Sequence, residues 1–276
     1  MPRKAAIWRG ITVVLLSLLV VMPLHAADVS RFHALYGELL ERYWRPPVTI
    51  HDIETTVFDY AAMQREATPL FADISAVLAR LDLADIDNQD QAKAFWINVY
   101  NFAAMRMVVK AYPVDSITSF KISLIKHPWS KDAINVAGRD YSLSEIEKDI
   151  LLPRFKDPRI IFAVSCAAVS CPDRIAEPFT GGRLDAQLDT MIREFLRNPG
   201  KGFKLDREAN TVTLAWILKK DSHLFEGHPG GVLGFIQPYL DADRRAWLEA
   251  RHPAIDYFDH DWTLNDLAQA DSRGIK

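Results

Sequence analysis

The sequence AFWINVYNF, residues 94–102, is apolar at every position except its two asparagines. A helix that is apolar on all sides is buried in the protein interior. Asn88 is a suitable helix cap with Gln91 three positions later, and Pro113 stops a helix. The pattern therefore predicts one long buried helix from Asn88 to Lys110.

Asn98 and Asn101 are three residues apart in this helix and share one of its faces. A buried amide without a hydrogen-bond partner costs about 1–3 kcal/mol, so both side chains need partners inside the protein. Buried amides are more often structural than functional. Both interpretations stay open from the sequence.

The hydrophobic spacing changes on the two sides of the buried helix. Helical periodicity precedes it, at residues 29–43 and 58–83. Two hairpin patterns follow it, at residues 133–143 and 203–216. The continuous apolar run Ile160–Val164 predicts a central strand buried on both faces. Further elements are a short helix capped by Ser144, a helix at residues 184–196, short helices at 232–239 and 244–251, and a last strand at 254–258.

Helices first, then strands mixed with short helices, is an α+β order of elements. We therefore predict a helical N-terminal half packed on a small, mostly antiparallel sheet. No linker or repeat divides the chain, so residues 27–276 form a single predicted domain.

The first 26 residues have the parts of a secretory signal peptide. Residues 1–10 carry three basic side chains and no acidic one, and residues 11–24 are almost purely apolar. This stretch is shorter than the ~20 residues of a membrane span, although an uncleaved anchor is the alternative. We predict cleavage near Ala26 and a periplasmic or secreted protein with no later membrane span.

The charge of the chain argues against a nucleic-acid partner. The whole sequence has a formal net charge of −3. Residues 1–26 hold three basic residues and no acidic one, so the rest has 30 basic against 36 acidic residues and a net charge of −6. A nucleic-acid-binding protein needs a basic face, which this composition does not favour.

The two cysteines, Cys166 and Cys171, follow the predicted central strand. Three interpretations are open. The first is a structural disulfide, which an oxidising compartment favours and which requires the loop to curl back. The second is a reactive thiol. The third is a zinc site, because Cys166/Cys171 and His223/His228 share a four-residue gap.

A cysteine nucleophile needs a base and a group that orients this base. Glu147 and several histidines are candidate helpers, although Glu147 also suits the first turn of a helix. His260 lies between two aspartates and is interpreted as a surface residue. The candidate histidines are His127, His223, His228, His252 and His260.

At these residues the chain resembles the family called domain of unknown function 547. The resemblance rests on residues 94–101, 142–147, 157–160, 165–172 and 184–188, and it spans roughly residues 58–225. It implies that cysteine, histidine, glutamate and asparagine gather around the Ser-Cys-Pro loop, by analogy with papain-like hydrolases. Ile161 and Lys148 stand where many relatives have histidine, so this chain departs from the family pattern.

We predict a cysteine-dependent hydrolase or acyl-transfer enzyme that acts on an amide or ester of a small-molecule or peptide-like substrate. Cys171 is the predicted nucleophile, and Glu147 and His223 activate or orient it. Asn98, Asn101 and Cys166 support the site, and no cofactor or metal is predicted. The alternative is a non-catalytic binding or structural module of the cell envelope with a Cys166–Cys171 disulfide. The zinc site is the third hypothesis.

Overall fold

The computed structural model describes residues 26–86, 88–123 and 127–271. Residues 1–25, nearly all of the predicted signal peptide, lie outside the described residues. Within the three described ranges, no helix combines the length and the hydrophobicity that a bilayer span requires.

Helices dominate the N-terminal half and recur between the strands of the C-terminal half. The α-helices are α1 (Ala26–Tyr43), α2 (Tyr60–Glu66), α3 (Thr68–Arg80), α4 (Gln89–Ala111), α5 (Leu143–Glu145), α6 (Leu152–Phe155), α7 (Leu184–Arg197), α8 (Trp216–Lys220), α9 (Gly231–Ile236) and α10 (Ala242–Ala250). Together with the strands, they confirm the predicted mixed α+β class.

The predicted buried helix is α4. α1 and α2 pack against it, and α3 packs on α1 and stacks Phe71 on Phe102 of α4. Every residue from Ala92 to Met105 is buried, as the apolar sequence predicts. The Asn88 side chain caps the helix by accepting the amide N–H groups of Asp90 and Gln91. α4 therefore forms the central element of the hydrophobic core.

The strands form three small sheets rather than the one sheet predicted. They are β1 (Trp44–Ile50), β2 (Ile53–Phe58), β3 (Asp132–Val136), β4 (Arg139–Ser142), β5 (Phe203–Asp206), β6 (Thr211–Leu214) and β7 (Ala254–Tyr257). The pairs β1–β2, β3–β4 and β5–β6 are antiparallel, and β7 pairs with β6 in parallel. The two predicted hairpins and the last strand are confirmed, whereas the β1–β2 hairpin was not foreseen.

The apolar run Ile160–Val164 is not a strand. A 3₁₀-helix occupies Pro158–Phe162, and the Asp157 side chain caps it by accepting the Arg159 N–H. Proline fixes φ near −65°, which suits a helical turn. A continuous apolar run does not distinguish a buried helix from a buried strand. The predicted strand is therefore wrong, although the predicted burial is observed.

The cap of the helical segment after β4 is Ser142, two residues before the predicted cap Ser144. Ser142 caps α5, and the Glu145 side chain binds back to the Ser142 N–H in a capping box. α5 continues into a π-helix, Ile146–Leu151, and then into α6. Short π-helical segments are frequent at functional sites, and this one carries Glu147.

Candidate active site

The loop that carries both cysteines, residues 163–172, is fixed from beneath by buried side chains. The Asn101 carboxamide donates to the Ala163 carbonyl and accepts the Ser165 N–H, both at 2.9 Å. The Arg174 guanidinium donates to the Ser165 carbonyl at 2.7 Å. These bonds satisfy backbone groups that would otherwise be buried without partners, and they fix where the loop begins.

Lys201 fixes the opposite end of the loop. Its buried ammonium donates to the Val169 carbonyl at 3.1 Å, and to the Thr55 hydroxyl and the Asp173 carboxylate at 2.9 Å each. Burial lowers the pKa of Lys201, and the Asp173 charge opposes that lowering. A buried charge of this kind needs a partner, which Asp173 provides.

A disulfide joins Cys166 and Cys171 across the loop, with their Cα atoms 6.2 Å apart. Ala167 adopts a positive φ of 65°, and the Cys171 N–H returns to the Ala168 carbonyl at 3.0 Å. The chain thus curls back as a disulfide at this spacing requires. Cys171 is buried and Cys166 is half-buried.

A segment near the C-terminus, residues 260–265, lies alongside the cysteine loop. Val169 N–H donates to the Thr263 carbonyl at 2.8 Å, and Asn265 N–H donates to the Ala167 carbonyl at 2.9 Å. The Asp261 N–H donates to the hydroxyl of Ser170 at 2.9 Å. This pairing brings His260 to the disulfide.

His260 is the histidine that reaches the cysteines. Its Nε2 lies 4.0 Å from Cys171 Sγ, and its ring packs against Trp262 (4.1 Å between centroids) and Trp216 (4.9 Å). Burial lowers the pKa of His260 to about 4, against the opposing charge of Asp261. The imidazole is therefore neutral at neutral pH. Its Nδ1 is buried and has no hydrogen-bond partner among the described residues.

A pocket with a volume of about 390 Å³ opens in front of His260 and the disulfide. Its aromatic wall consists of Tyr100, Trp129, Trp216 and Trp262. Pockets of this size accommodate small ligands, and aromatic side chains supply much of the contact area. The arrangement can hold a small molecule or the end of a peptide against the sulfur atoms.

A charged cluster forms another part of the pocket wall. The Lys220 ammonium lies 3.0 Å from a Glu147 carboxylate oxygen and 3.2 Å from an Asp221 carboxylate oxygen. Burial alone would lower the pKa of Lys220, but the two carboxylates raise it. Burial raises the pKa of Asp221. The Lys220 side chain is 34% exposed, so its charge is accessible from the pocket.

Tyr100 connects the charged cluster to the aromatic wall. Its hydroxyl donates to the other Glu147 oxygen at 3.4 Å and accepts the Trp129 indole N–H at 3.3 Å. Burial raises the pKa of Tyr100 well above its ordinary value. Tyr100 therefore stays protonated and holds Glu147 in a fixed orientation.

The structure places some of the predicted site residues at the pocket and others away from it. Cys166, Cys171 and Glu147 line it. His223 is exposed in a 3₁₀-helix and is not among the pocket residues. Asn98 is not among the pocket residues, and its carboxamide binds the Phe179 backbone at 2.8 and 3.0 Å.

The sequence hypothesis included His260 among the candidate helpers but interpreted it as a surface residue, and it gave Trp262 and Lys220 no role in the site. The available signal was weak, because His260 is flanked by aspartates and such a residue is usually exposed. The adjacent Trp262, a large apolar side chain near the end of the chain, was the feature that indicated a buried environment there.

Cys166, Cys171 and His260 also form the group of side chains that could hold a metal ion. One ligand atom of each lies within 4.8 Å of the others. The zinc hypothesis from the sequence used His223 and His228, but both are exposed and neither belongs to this group. Thiolate and imidazole are ligands that suit Zn²⁺.

Residues 84–196 match the family model described as "Protein of unknown function, DUF547". The chain contains a DUF547 domain. The resemblance predicted from the sequence is thus confirmed over a shorter range than the expected 58–225. No curated protein and no solved structure matches the chain. A papain-like arrangement therefore stays a prediction.

The DUF547 domain supplies only part of the pocket. Tyr100, Glu147 and both cysteines lie inside the matched range, residues 84–196. Six other lining residues lie beyond the domain, and these are Trp216, Ile217, Lys220, Asp221, His260 and Trp262. The segment after the DUF547 domain therefore completes the candidate site.

Proposed function

We propose that the pocket is the active site of a cysteine-dependent enzyme that hydrolyses an amide or ester or transfers its acyl group. The observation that carries this proposal is the 4.0 Å approach of His260 Nε2 to Cys171 Sγ at the wall of the pocket. A nucleophile and a base close to hydrogen-bonding distance are the requirement for covalent catalysis. His260 takes the place that the sequence hypothesis gave to His223.

A dithiol reductant first gives the disulfide two electrons and two protons and becomes a disulfide itself. In the reduced chain, His260 accepts the thiol proton as Cys171 Sγ bonds to the substrate carbonyl carbon. The tetrahedral adduct collapses to a thioester on Cys171, and the leaving amine or alcohol takes the proton from His260. Water or an acceptor nucleophile then attacks the thioester and frees the thiol. Positioned acid–base groups contribute about 10²–10⁴-fold to such steps.

Glu147 supports this reaction from the pocket wall, and Asn101 and Asn98 hold backbone segments outside that wall. Glu147 binds Lys220 rather than a histidine, so its proposed role is to hold the ammonium where it can bind a substrate oxygen. Asn101 holds the start of the cysteine loop, and Asn98 holds the backbone of Phe179. The papain-like arrangement belongs to this proposal as an analogy that rests on the cysteine–histidine pairing.

The disulfide favours a second candidate function, a non-catalytic binding or structural module of the cell envelope. Both cysteines of the chain are joined, and the joined form has no nucleophilic thiol. In addition, no described residue hydrogen-bonds His260 Nδ1, the position at which a third group would orient a catalytic base. In this alternative the same pocket binds a ligand without turnover.

The test compares the reduced chain with the variants His260→Gln and His223→Gln, the second of which is the matched control. Limiting alkylation followed by mass spectrometry should show faster labelling of Cys171 than of Cys166. Incubation with activated esters should leave an acyl group on Cys171. The rate of ester hydrolysis should fall on the order of 10²-fold or more in His260→Gln and stay at the parent value in His223→Gln.

Hydrolysis that survives Cys171→Ser, or equal rates in the parent and His260→Gln, would contradict the catalytic proposal. The binding module predicts a different pattern. The oxidised chain would then bind its ligand as tightly as the reduced chain, with no acyl adduct.

The proposed location of this enzyme is the periplasm or the exterior of the cell, after removal of residues 1–26. The basic and apolar segments at the start of the sequence support this location. Cell fractionation together with the intact mass of the recovered protein tests it. A chain that retains residue 1 and stays with the membrane fraction would indicate the uncleaved anchor instead.

A further inference from the structure

Two sulfur atoms and one imidazole nitrogen converge at the inner wall of the pocket. One ligand atom from each of Cys166, Cys171 and His260 lies within 4.8 Å of the other two. The hydrogen bonds from the cysteine loop to residues 261–265 hold the two contributing segments together. The cluster is therefore built by the fold rather than by mobile surface side chains.

The spacing of this cluster suits a tetrahedral metal ion. Zn²⁺ holds sulfur at ~2.3 Å and imidazole nitrogen at ~2.0 Å, which separates neighbouring ligand atoms by roughly 3.5–3.8 Å. Cys171 Sγ and His260 Nε2 are already 4.0 Å apart. The Cα atoms of the two cysteines are 6.2 Å apart, and reduction frees their sulfur atoms to move apart.

The surroundings also suit a zinc ion with an open coordination position. All three ligand residues line the same pocket, so a fourth ligand can approach from that side. Two thiolates neutralise the charge of Zn²⁺, and a neutral centre costs less to hold at a partly buried wall than a net charge. Three protein ligands and one open position are typical of catalytic or ligand-binding zinc sites.

We propose that the reduced chain binds one Zn²⁺ ion through Cys166, Cys171 and His260, with the fourth position open to the pocket. A dithiol reductant first opens the disulfide, giving it two electrons and two protons and becoming a disulfide itself. Binding of Zn²⁺ then releases the two thiol protons. This site goes beyond the proposed catalysis, and zinc bound there would block Cys171 as a nucleophile.

The experiment titrates Co²⁺, a spectroscopic substitute for Zn²⁺, into the reduced chain under anaerobic conditions. Thiolate-to-cobalt absorption should appear with a stoichiometry of one ion per chain, and added Zn²⁺ should remove it. The oxidised chain should give no such absorption. Native mass spectrometry of the reduced chain should show one zinc ion.

Two variants and one control test the ligand set. Loss of outer-shell groups around a metal typically costs 10–100-fold in affinity, so loss of a direct ligand should cost at least about 100-fold. Cys166→Ser and His260→Ala should each show that loss, whereas His223→Ala should bind like the parent. Thermal unfolding of all reduced chains verifies that they are folded.

Equal metal affinity in His260→Ala and the parent would overturn the proposed site, as would zinc binding no tighter in the reduced parent than in Cys166→Ser. The readout is metal binding and not turnover. The zinc proposal can therefore fail while the Cys171 acyl adduct is observed. Equally, zinc binding can be observed in a chain that forms no acyl adduct.

Discussion

Asn101 is buried in α4 and uses both ends of its carboxamide to hold the cysteine loop. It donates to the Ala163 carbonyl and accepts the Ser165 N–H, and the residue is 2% exposed. Its position on the all-apolar helix forces the amide inside the protein, and the loop supplies the partners. The same two hydrogen bonds therefore stabilise the fold and position the cysteine loop of the site.

Asn101→Ala should lower the free energy of unfolding by about 2–6 kcal/mol. The substitution leaves two buried backbone groups without partners, at about 1–3 kcal/mol each. Asn135→Ala is the control, because Asn135 bonds Asp140 at an exposed position of the hairpin. This control should stay within about 0.5 kcal/mol of the parent. Urea denaturation measures both, and a loss below about 1 kcal/mol in Asn101→Ala would contradict the argument.

At the scale of elements, Lys201 joins three parts of the chain that are distant in sequence. Its ammonium binds Thr55 of β2, Val169 of the cysteine loop, and Asp173 just beyond that loop. Lys201 itself immediately precedes β5. The first hairpin, the cysteine loop and the last sheet are thereby held by one buried cation.

Lys201→Met should lower the free energy of unfolding by about 3–5 kcal/mol, because it leaves the Asp173 charge without its partner. The double variant Lys201→Met/Asp173→Asn should lose less than the sum of the two single changes, since the pair interacts directly. Lys204→Met is the control, because Lys204 is exposed on β5. Chemical denaturation of the parent, the two single variants, the double variant and the control gives the result, and strict additivity would show that the pair is not coupled.

The elements formed by local sequence were predictable, whereas the pairing between distant segments was not. The helix α4, two hairpins and the cysteine loop depend on neighbouring residues, and their patterns are visible in the sequence. The pairing of residues 167–170 with residues 261–265 joins segments about 90 positions apart, and it has no local signature. No local feature therefore distinguished His260 from the other candidate histidines, and the choice of His223 had no geometric support.

The first hairpin, β1–β2, was not predicted for a different reason. Pro46 and Pro47 lie inside β1, and proline in a run normally argues against a strand. The structure accommodates them at an irregular register between Arg45 and Val48. Tertiary context thus overrode a local rule.

For the whole molecule, buried neutral histidines link stability to pH. His33 in α1 has a buried Nε2 that lacks a hydrogen-bond partner among the described residues. Burial lowers the pKa of His33 to about 4. An unfolded chain binds a proton at a histidine near pH 6.5. Below that pH, the unfolded state therefore takes up a proton that the folded state accepts only near pH 4.

His33→Gln should consequently weaken the loss of stability on acidification. In the parent, the neutral His33 contributes to the free energy of unfolding, and this contribution is fully present above pH 6.5. It is lost progressively as the pH falls towards 4, by up to ~1.4 kcal/mol per pH unit. The difference in unfolding free energy between parent and variant should therefore shift by roughly 2–3 kcal/mol in favour of the variant between pH 7 and 4.5. The exposed His252→Gln should keep the parent's dependence on pH. Urea titrations at four pH values measure these differences, and parallel curves for the parent and His33→Gln would show that His33 is not protonated differently in the two states.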